Sequence, residues 1–205
     1  MIRRIGLCGS IGSGKSYAAA LIARERGYVH ISADDVFKDV VLPDPRYRAA
    51  LTAHLEPAGV TPFIDGVYQA SVVGAYLFAA AQGLEMPRLR AVNRMNAPFV
   101  RDALRDRLTD KCVLEMAVLP DFLYLDDLDL QVIVRVRASG DDAVARDAHR
   151  VADVTRRIKA YQERRLDVHS IEGHVIDCEA KHADGTRLTD AEILAMFDTV
   201  LATQD

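Results

Sequence analysis

An α/β fold built on a parallel, three-layer sheet is what this sequence predicts, and three observations predict it. Short apolar runs, nearly continuous in aliphatic or β-branched residues, recur along the chain in the manner of strands covered on both faces. Helical patterns separate those runs, so successive strands need crossover connections and lie parallel. The first strand-to-helix junction carries the turn Gly9-Ser10-Ile11-Gly12-Ser13-Gly14-Lys15-Ser16, a pattern that belongs between a buried strand and a helix N-terminus. At 205 residues, with 50% apolar and 27% charged residues, the chain suits one α/β domain with a small insertion.

Taken in order, the five predicted strands are Ile5–Cys8, Tyr28–Ile31, Cys112–Met116, Val132–Val136 and His174–Ile176. Helices are predicted at 16–26, 35–41, 45–56, about 68–82, 89–107, 141–149, 152–167 and 188–202. Thr189-Asp190-Ala191-Glu192 ahead of an apolar run reads as a capped start for the last of them. The interval from Pro43 to Pro87 contains no clear strand and reads as a helical insertion. Within it, Pro57-Ala58-Gly59-Val60-Thr61-Pro62 reads as a turn between helices. Tyr68 and Tyr76 are spaced to share a helix face, where with Phe78 they would form core. The resulting division is a core of 1–42, 108–138 and 170–205, a helical acceptor region of about 43–107, and a lid of about 139–169. No internal repeat or low-complexity segment is visible.

Composition narrows the function classes. A net charge of −4 gives no general affinity for a nucleic acid backbone, so phosphate binding must come from local basic groups. Cys8, Cys112 and Cys178 have no metal-ligand spacing, and two of them fall in buried strands, so they read as core thiols of a reducing compartment. His30, His54, His169, His174 and His182 show no ligand spacing either. The first residues lead directly into a strand, so no signal peptide is expected, and no apolar run reaches the ~20 residues of a bilayer span. A cytoplasmic protein without membrane or nucleic acid partners is expected, as a monomer or small homo-oligomer.

The chemistry starts at the glycine turn. Gly9, Ser10, Ile11, Gly12, Ser13 and Gly14 would wrap backbone N–H groups around an anion, with Lys15, Ser16 and Tyr17 opening the helix behind them. Lys15 adds a mobile positive charge, and the Ser16 hydroxyl is a ligand for Mg²⁺. The pattern predicts binding of a nucleoside triphosphate such as ATP; the competing reading is a glycine-rich turn that binds nothing. The second strand ends at Ser32-Ala33-Asp34-Asp35, where strand ends form the ligand crevice of such sheets. Asp34 there either takes a proton from an acceptor hydroxyl or caps the following helix. Arg146, His149, Arg150, Arg156, Arg157, Lys159, Arg164 and Arg165 form a basic concentration that reads as a lid over the triphosphate or as a solvated helix face. Arg88, Arg90, Asn93, Arg94 and Asn96 lie on the helix after Pro87, either as acceptor ligands or as ordinary surface.

These residues together resemble the dephospho-CoA kinase family, phosphate-loop kinases related in fold to nucleoside monophosphate kinases. The run Ile5 to Ser16 is similar to the family's opening, and Ser32-Ala33-Asp34 falls where the family has Asp-Ala-Asp, which passes the role of base to Asp34. Lys38 stands where the family commonly has Arg. Asp65-Gly66, Phe78, Val92-Asn93, Pro98, Arg146-Asp147, Arg157-Ile158, Gln162, Arg165 and Val175-Ile176-Asp177 follow in the family's order. The chain also departs from the pattern. Ala97 replaces a His, Ala70 an Arg and Cys178 an Asn, and Leu119-Pro120-Asp121-Phe122-Leu123-Tyr124 lacks the family's Glu.

The resemblance implies ATP- and Mg²⁺-dependent phosphorylation of the ribose 3′-hydroxyl of dephospho-CoA. Lys15 and Arg146 would offset phosphoryl charge, Asp34 would act as base, and Lys38, Arg88 and Asn93 would contact the nucleotide-like substrate. A (deoxy)nucleoside monophosphate kinase is the alternative, and a nucleotide-binding protein without turnover is a further one.

Overall fold

The computed structural model describes residues 3–83, 85–117, 128–137, 152–168, 175–177 and 188–202. Its contacts divide the chain into two compact units, 1–33 with 107–205, and 34–106. The first unit holds the sheet. Strands β1 (Arg4–Cys8), β2 (Val29–Ser32), β5 (Cys112–Glu115) and β6 (Val132–Arg137) lie in the order β2-β5-β1-β6, and β7 (Val175–Asp177) adds at the β6 edge. Every pairing is parallel. The central strand β1 is buried from Ile5 to Cys8, and β5 is buried throughout, which explains why neither alternates polar with apolar residues.

Helix α1 (Lys15–Arg26) follows β1, with Ala18, Ala19, Leu21 and Ile22 buried, and ends at Gly27 in the left-handed conformation that glycine adopts most readily. Those side chains join Ile5, Leu7, Val113, Val134 and Phe197 in one core. Phe197 comes from α7 (Asp190–Ala202) and meets Tyr28 edge-on at 6.4 Å. The predicted cap of α7 is formed: the Glu192 carboxylate accepts from Thr189 N–H at 2.8 Å, and Thr189 Oγ1 accepts from Glu192 N–H at 3.4 Å. Helix α6 (Ala152–Val168) occupies the predicted 152–167 segment. The predicted helix at 141–149 and the part of the predicted lid before Ala152 fall outside the described residues, as does Cys178. Cys8 and Cys112 are free, buried thiols, and burial pushes Cys8 up to about 12.

The second unit begins within α2 (Ala33–Val36), which runs on into a π-helical turn (Phe37–Val41), then α3 (Pro45–Leu55), a hairpin of β3 (Phe63–Ile64) and β4 (Val67–Tyr68), α4 (Ala70–Leu77) and α5 (Pro87–Arg105). Asp44 caps α3 by accepting from Arg46 N–H at 2.8 Å, and Pro45 and Pro87 occupy first-turn positions. Tyr47 anchors the unit's interior: it is fully buried, meets Phe37 and Phe99 edge-on at 5.4 Å, and donates to Asn96 Oδ1 at 3.0 Å.

Two expectations for this region are corrected. The interval 43–87 does contain strands, because Asp65 (φ 49°) and Gly66 (φ 79°) form a two-residue turn with both φ positive, the geometry that closes a tight hairpin. The expected helix at 68–82 is consequently shorter. Tyr68 lies in β4 against Phe63, Tyr76 lies in α4, and the two share no helix face.

Candidate active site

The parallel register brings the C-terminal ends of β2, β5, β1 and β6 to one side of the sheet, with β1 between β5 and β6. The glycine turn leaves β1 at this point, where strand order diverges and α/β sheets bind ligands. Three of its residues show why the sequence needs glycine. Gly12 and Gly14 have φ of 75° and 86°, a region costly for a side chain. A Cβ on Gly9 would lie 2.4 Å from Ser13 Oγ and 2.5 Å from the Val136 carbonyl oxygen. The turn is closed by Ser13 N–H donating to Ser10 O at 3.1 Å, and Gly9 N–H donates to Ala117 O at 3.2 Å. No side chain caps the first turn of α1, and no acidic residue lies in it. Its leading N–H groups and positive dipole end are therefore suited to an anion.

Two buried charged residues flank this loop, one on each neighbouring strand. On the β5 side, Glu115 stands in register with Leu7 and Ser32 and is only 7% exposed. Ser16 Oγ donates to Glu115 Oε1 at 2.5 Å, Lys15 Nζ lies 3.8 Å from the same oxygen, and His30 Nε2 lies 2.9 Å from Oε2. Burial pushes this carboxyl up, but the hydrogen bonds from His30 and Ser16 and the charge of Lys15 outweigh it. The net effect holds Glu115 below the usual carboxylate range. On the β6 side, Arg135 is in register with Cys8 and 6% exposed. Its guanidinium donates to Glu163 and Asp167 of α6, both at 2.7 Å. Glu163 also accepts from the Ser10 hydroxyl, and the adjacent Gln162 accepts from Ile11 N–H at 2.7 Å. The rear of the loop is thus tied to Glu115, and its front is tied through α6 to Arg135.

Of the residues predicted from sequence, Gly9 to Ser16 form the loop as expected, and Lys15 and Ser16 converge on one carboxylate. Tyr17 is half exposed and its hydroxyl donates to Asp190. Asp34 is exposed, in the first turn of α2 and two residues beyond β2. Lys38 is exposed and pairs with Asp35 at 3.7 Å. Arg88 lies over the Tyr76 ring, 4.4 Å from its centroid, and donates to Tyr76 O at 3.2 Å. Asn93 is half-buried on α5. Arg146 lies outside the described residues. Ala97, at the position of the family's His, is buried in α5.

Sequence reasoning missed Glu115, His30, Arg135 and Glu163, and met Gln162 only through the resemblance. A signal for Glu115 exists: it is a single carboxylate closing the apolar run Cys112-Val113-Leu114 beside the loop-bearing strand. Arg135 interrupts Val132–Val136 in the same way.

Ser16 Oγ and the Glu115 carboxylate are adjacent hard oxygen donors at the end of the loop, a set that fits Mg²⁺, which takes few protein ligands and completes its shell with phosphate and water. Among the described residues no group of three or more His, Cys, Asp and Glu is arranged to hold a metal by itself. No helix among them is long and apolar enough to cross a membrane.

Comparison with known proteins gives the family. The family model for dephospho-CoA kinase matches residues 3–183. The dephospho-CoA kinase of Hahella chejuensis is 28% identical over 202 residues, covering 96% of this chain and 88% of that protein. That of Frankia casuarinae is 30% identical over 200 residues, covering 96% and 74%. Among solved structures, TT1252 from Thermus thermophilus aligns over 98% of this chain and 97% of its own, with a TM-score of 0.64 at 22% identity. The shikimate kinase from Acinetobacter baumannii aligns over 99% and 95%, with a TM-score of 0.53 at 11% identity. These two likenesses establish the α/β fold. The extent of the family match establishes the rest: the chain belongs to the dephospho-CoA kinase family and is an ATP-dependent kinase.

Proposed function

We propose that this kinase transfers the γ-phosphoryl group of ATP to the ribose 3′-hydroxyl of dephospho-CoA, with Gly9–Ser16 as the triphosphate site. The observation that carries the reading is the convergence of Lys15 and Ser16 on Glu115 at the mouth of a loop whose glycines admit no side chain. Backbone N–H groups of the loop and of the first turn of α1 hold the phosphates, and Lys15 offsets charge on the transferring group. Ser16 and Glu115 would hold Mg²⁺, which when bound neutralises charge on the β- and γ-phosphate oxygens. Lys15 and Ser16 already lie within reach of one Glu115 oxygen, so the residues that would hold the cation stand beside the ammonium that would offset phosphoryl charge.

Asp34 orients the acceptor hydroxyl and takes its proton. This assignment rests on its place at the end of β2 and on its match to the last residue of the family's Asp-Ala-Asp. Lys38, Arg88 and Asn93, all within residues 34–106, are assigned to the acceptor, and Arg146 to a lid of about 139–169 that neutralises transferring charge. A cytoplasmic, metal-dependent enzyme acting on small molecules, as a monomer or small homo-oligomer, completes the reading.

An ADP-release assay with Mg-ATP, offering dephospho-CoA beside a panel of nucleoside and deoxynucleoside monophosphates, tests the acceptor. Turnover of dephospho-CoA at kcat/KM above ~10⁴ M⁻¹s⁻¹, the lower edge of ordinary enzyme efficiency, is expected. Turnover of one monophosphate with none of dephospho-CoA would replace this reading with that of a nucleotide kinase.

A further inference from the structure

A buried carboxylate needs partners for all its lone pairs, and Glu115 divides its own unequally. Oε1 serves the Ser16 hydroxyl and the Lys15 ammonium, whereas Oε2 has His30 Nε2 at 2.9 Å. The first two partners have other work. Under the reading above, Lys15 turns to the phosphates and Ser16 to the cation when Mg-ATP binds. His30 does not share that fate: it sits in β2, whose register with β5 fixes its backbone opposite Val113 and places Ser32 opposite Glu115. An ionised carboxylate accepts only, so Nε2 carries the hydrogen in this contact.

We propose that His30 is a positioning residue for the metal-binding carboxylate. It holds Oε2, and thereby keeps Oε1 of Glu115 turned toward Ser16 and the cation while Lys15 and Ser16 are engaged elsewhere. The proposal rests on the assignment of Glu115 to Mg²⁺. It extends that assignment to a residue of a neighbouring strand that holds the carboxylate's other oxygen. Partners of this outer kind fix ligand orientation, and their loss commonly weakens metal affinity or activity 10–100-fold.

Calorimetric titration of ATP, with Mg²⁺ and separately with EDTA, is the test, applied to the wild type, His30→Leu, His30→Gln and Glu115→Gln. His30→Leu is expected to weaken binding of Mg-ATP about 10–100-fold while leaving binding in EDTA within about twofold. His30→Gln, which keeps an N–H donor of similar reach, is expected to recover most of the loss. Glu115→Gln is expected to lose at least as much as His30→Leu, and only in Mg²⁺. If Glu115→Gln loses Mg²⁺ dependence but His30→Leu binds as the wild type, the positioning role of His30 is overturned. If Glu115→Gln itself binds Mg-ATP normally, the metal assignment beneath it fails instead. Should His30→Leu not fold, His30→Asn takes its place; its amide is too short to reach, so binding equal to that of His30→Gln overturns the proposal.

Discussion

The phosphate loop and the acceptor candidates of residues 34–106 are built on opposite principles. The loop is made by backbone: glycines with positive φ, a close approach that excludes any Cβ, and a helix N-terminus without a side-chain cap. Lys15 and Ser16 meet the buried Glu115 on one flank, and Ser10 is tied through Glu163 to the buried Arg135 on the other. The acceptor candidates are side chains on helices, and their grip is local. Arg88 is held over Tyr76, and Lys38 pairs with Asp35 one helical turn away. A site made of backbone geometry survives sequence divergence because its shape demands particular residues. A site made of separate side chains can be rewritten one residue at a time, as Ala70 and Ala97 illustrate.

The sharpest way to break this contrast is at Lys15. Lys15→Ala is expected to abolish turnover while circular dichroism shows the fold retained. Mg-ATP should raise the melting temperature of the wild type by mass action. Substantial turnover by the variant would mean that the loop's charge is supplied elsewhere. Next in size is Asp34→Asn, for which kcat should fall on the order of 10²–10⁴-fold with little change in ATP affinity. A normal kcat in Asp34→Asn with a loss in Asp35→Asn would move the base by one residue.

Gly9→Ala probes the backbone directly. With Ser13 Oγ and the Val136 carbonyl oxygen already at 2.4 and 2.5 Å from the added carbon, the loop or strand must shift. Overpacking of this kind costs about 1–3 kcal/mol, read as a lower denaturant midpoint together with weakened ATP binding. An unchanged midpoint and affinity would show the loop to be more adaptable than its geometry implies.

Glu115 predicts a pH effect of known sign. Its carboxyl is held below the usual range in the folded protein, so folding gains from its ionisation above its unfolded value of about 4.3. That gain is lost as pH falls through the lowered folded value. The stability difference between wild type and Glu115→Gln should therefore be in place above about pH 4.3 and shrink as pH falls below it. A difference that widens below about pH 4.3 would reverse the assigned direction. The smallest effect belongs to the acceptor side. Arg88→Ala is expected to raise KM for the acceptor several-fold with KM for ATP unchanged, since a single surface contact contributes on the order of 1 kcal/mol. A change confined to ATP would place Arg88 in the wrong half of the reaction.

How much was legible in the sequence follows the same division. The loop could be read from eight residues, because Gly9, Gly12 and Gly14 answer steric demands that few alternatives meet. The parallel sheet was legible because strands covered on both faces carry apolar runs such as Cys112-Val113-Leu114. The Asp65-Gly66 hairpin was legible in principle, but its two-residue strands are too short to show alternation, and the helix-like pattern of 70–77 masked them. The network behind the loop was hidden for a different reason. Glu115, His30, Arg135 and Glu163 lie far apart in sequence, and only strand register and the packing of α6 bring them to the loop.

The site of phosphorylation tests the central claim most directly. Dephospho-CoA incubated with the wild-type enzyme and Mg-ATP, followed by phosphorus and proton NMR of the product, reports which oxygen received the group. The account predicts a single product phosphorylated on the ribose 3′-oxygen, formed in step with ADP and absent with Lys15→Ala. A phosphoryl group on any other atom of the acceptor, or ADP formed while dephospho-CoA stays unmodified, would contradict it.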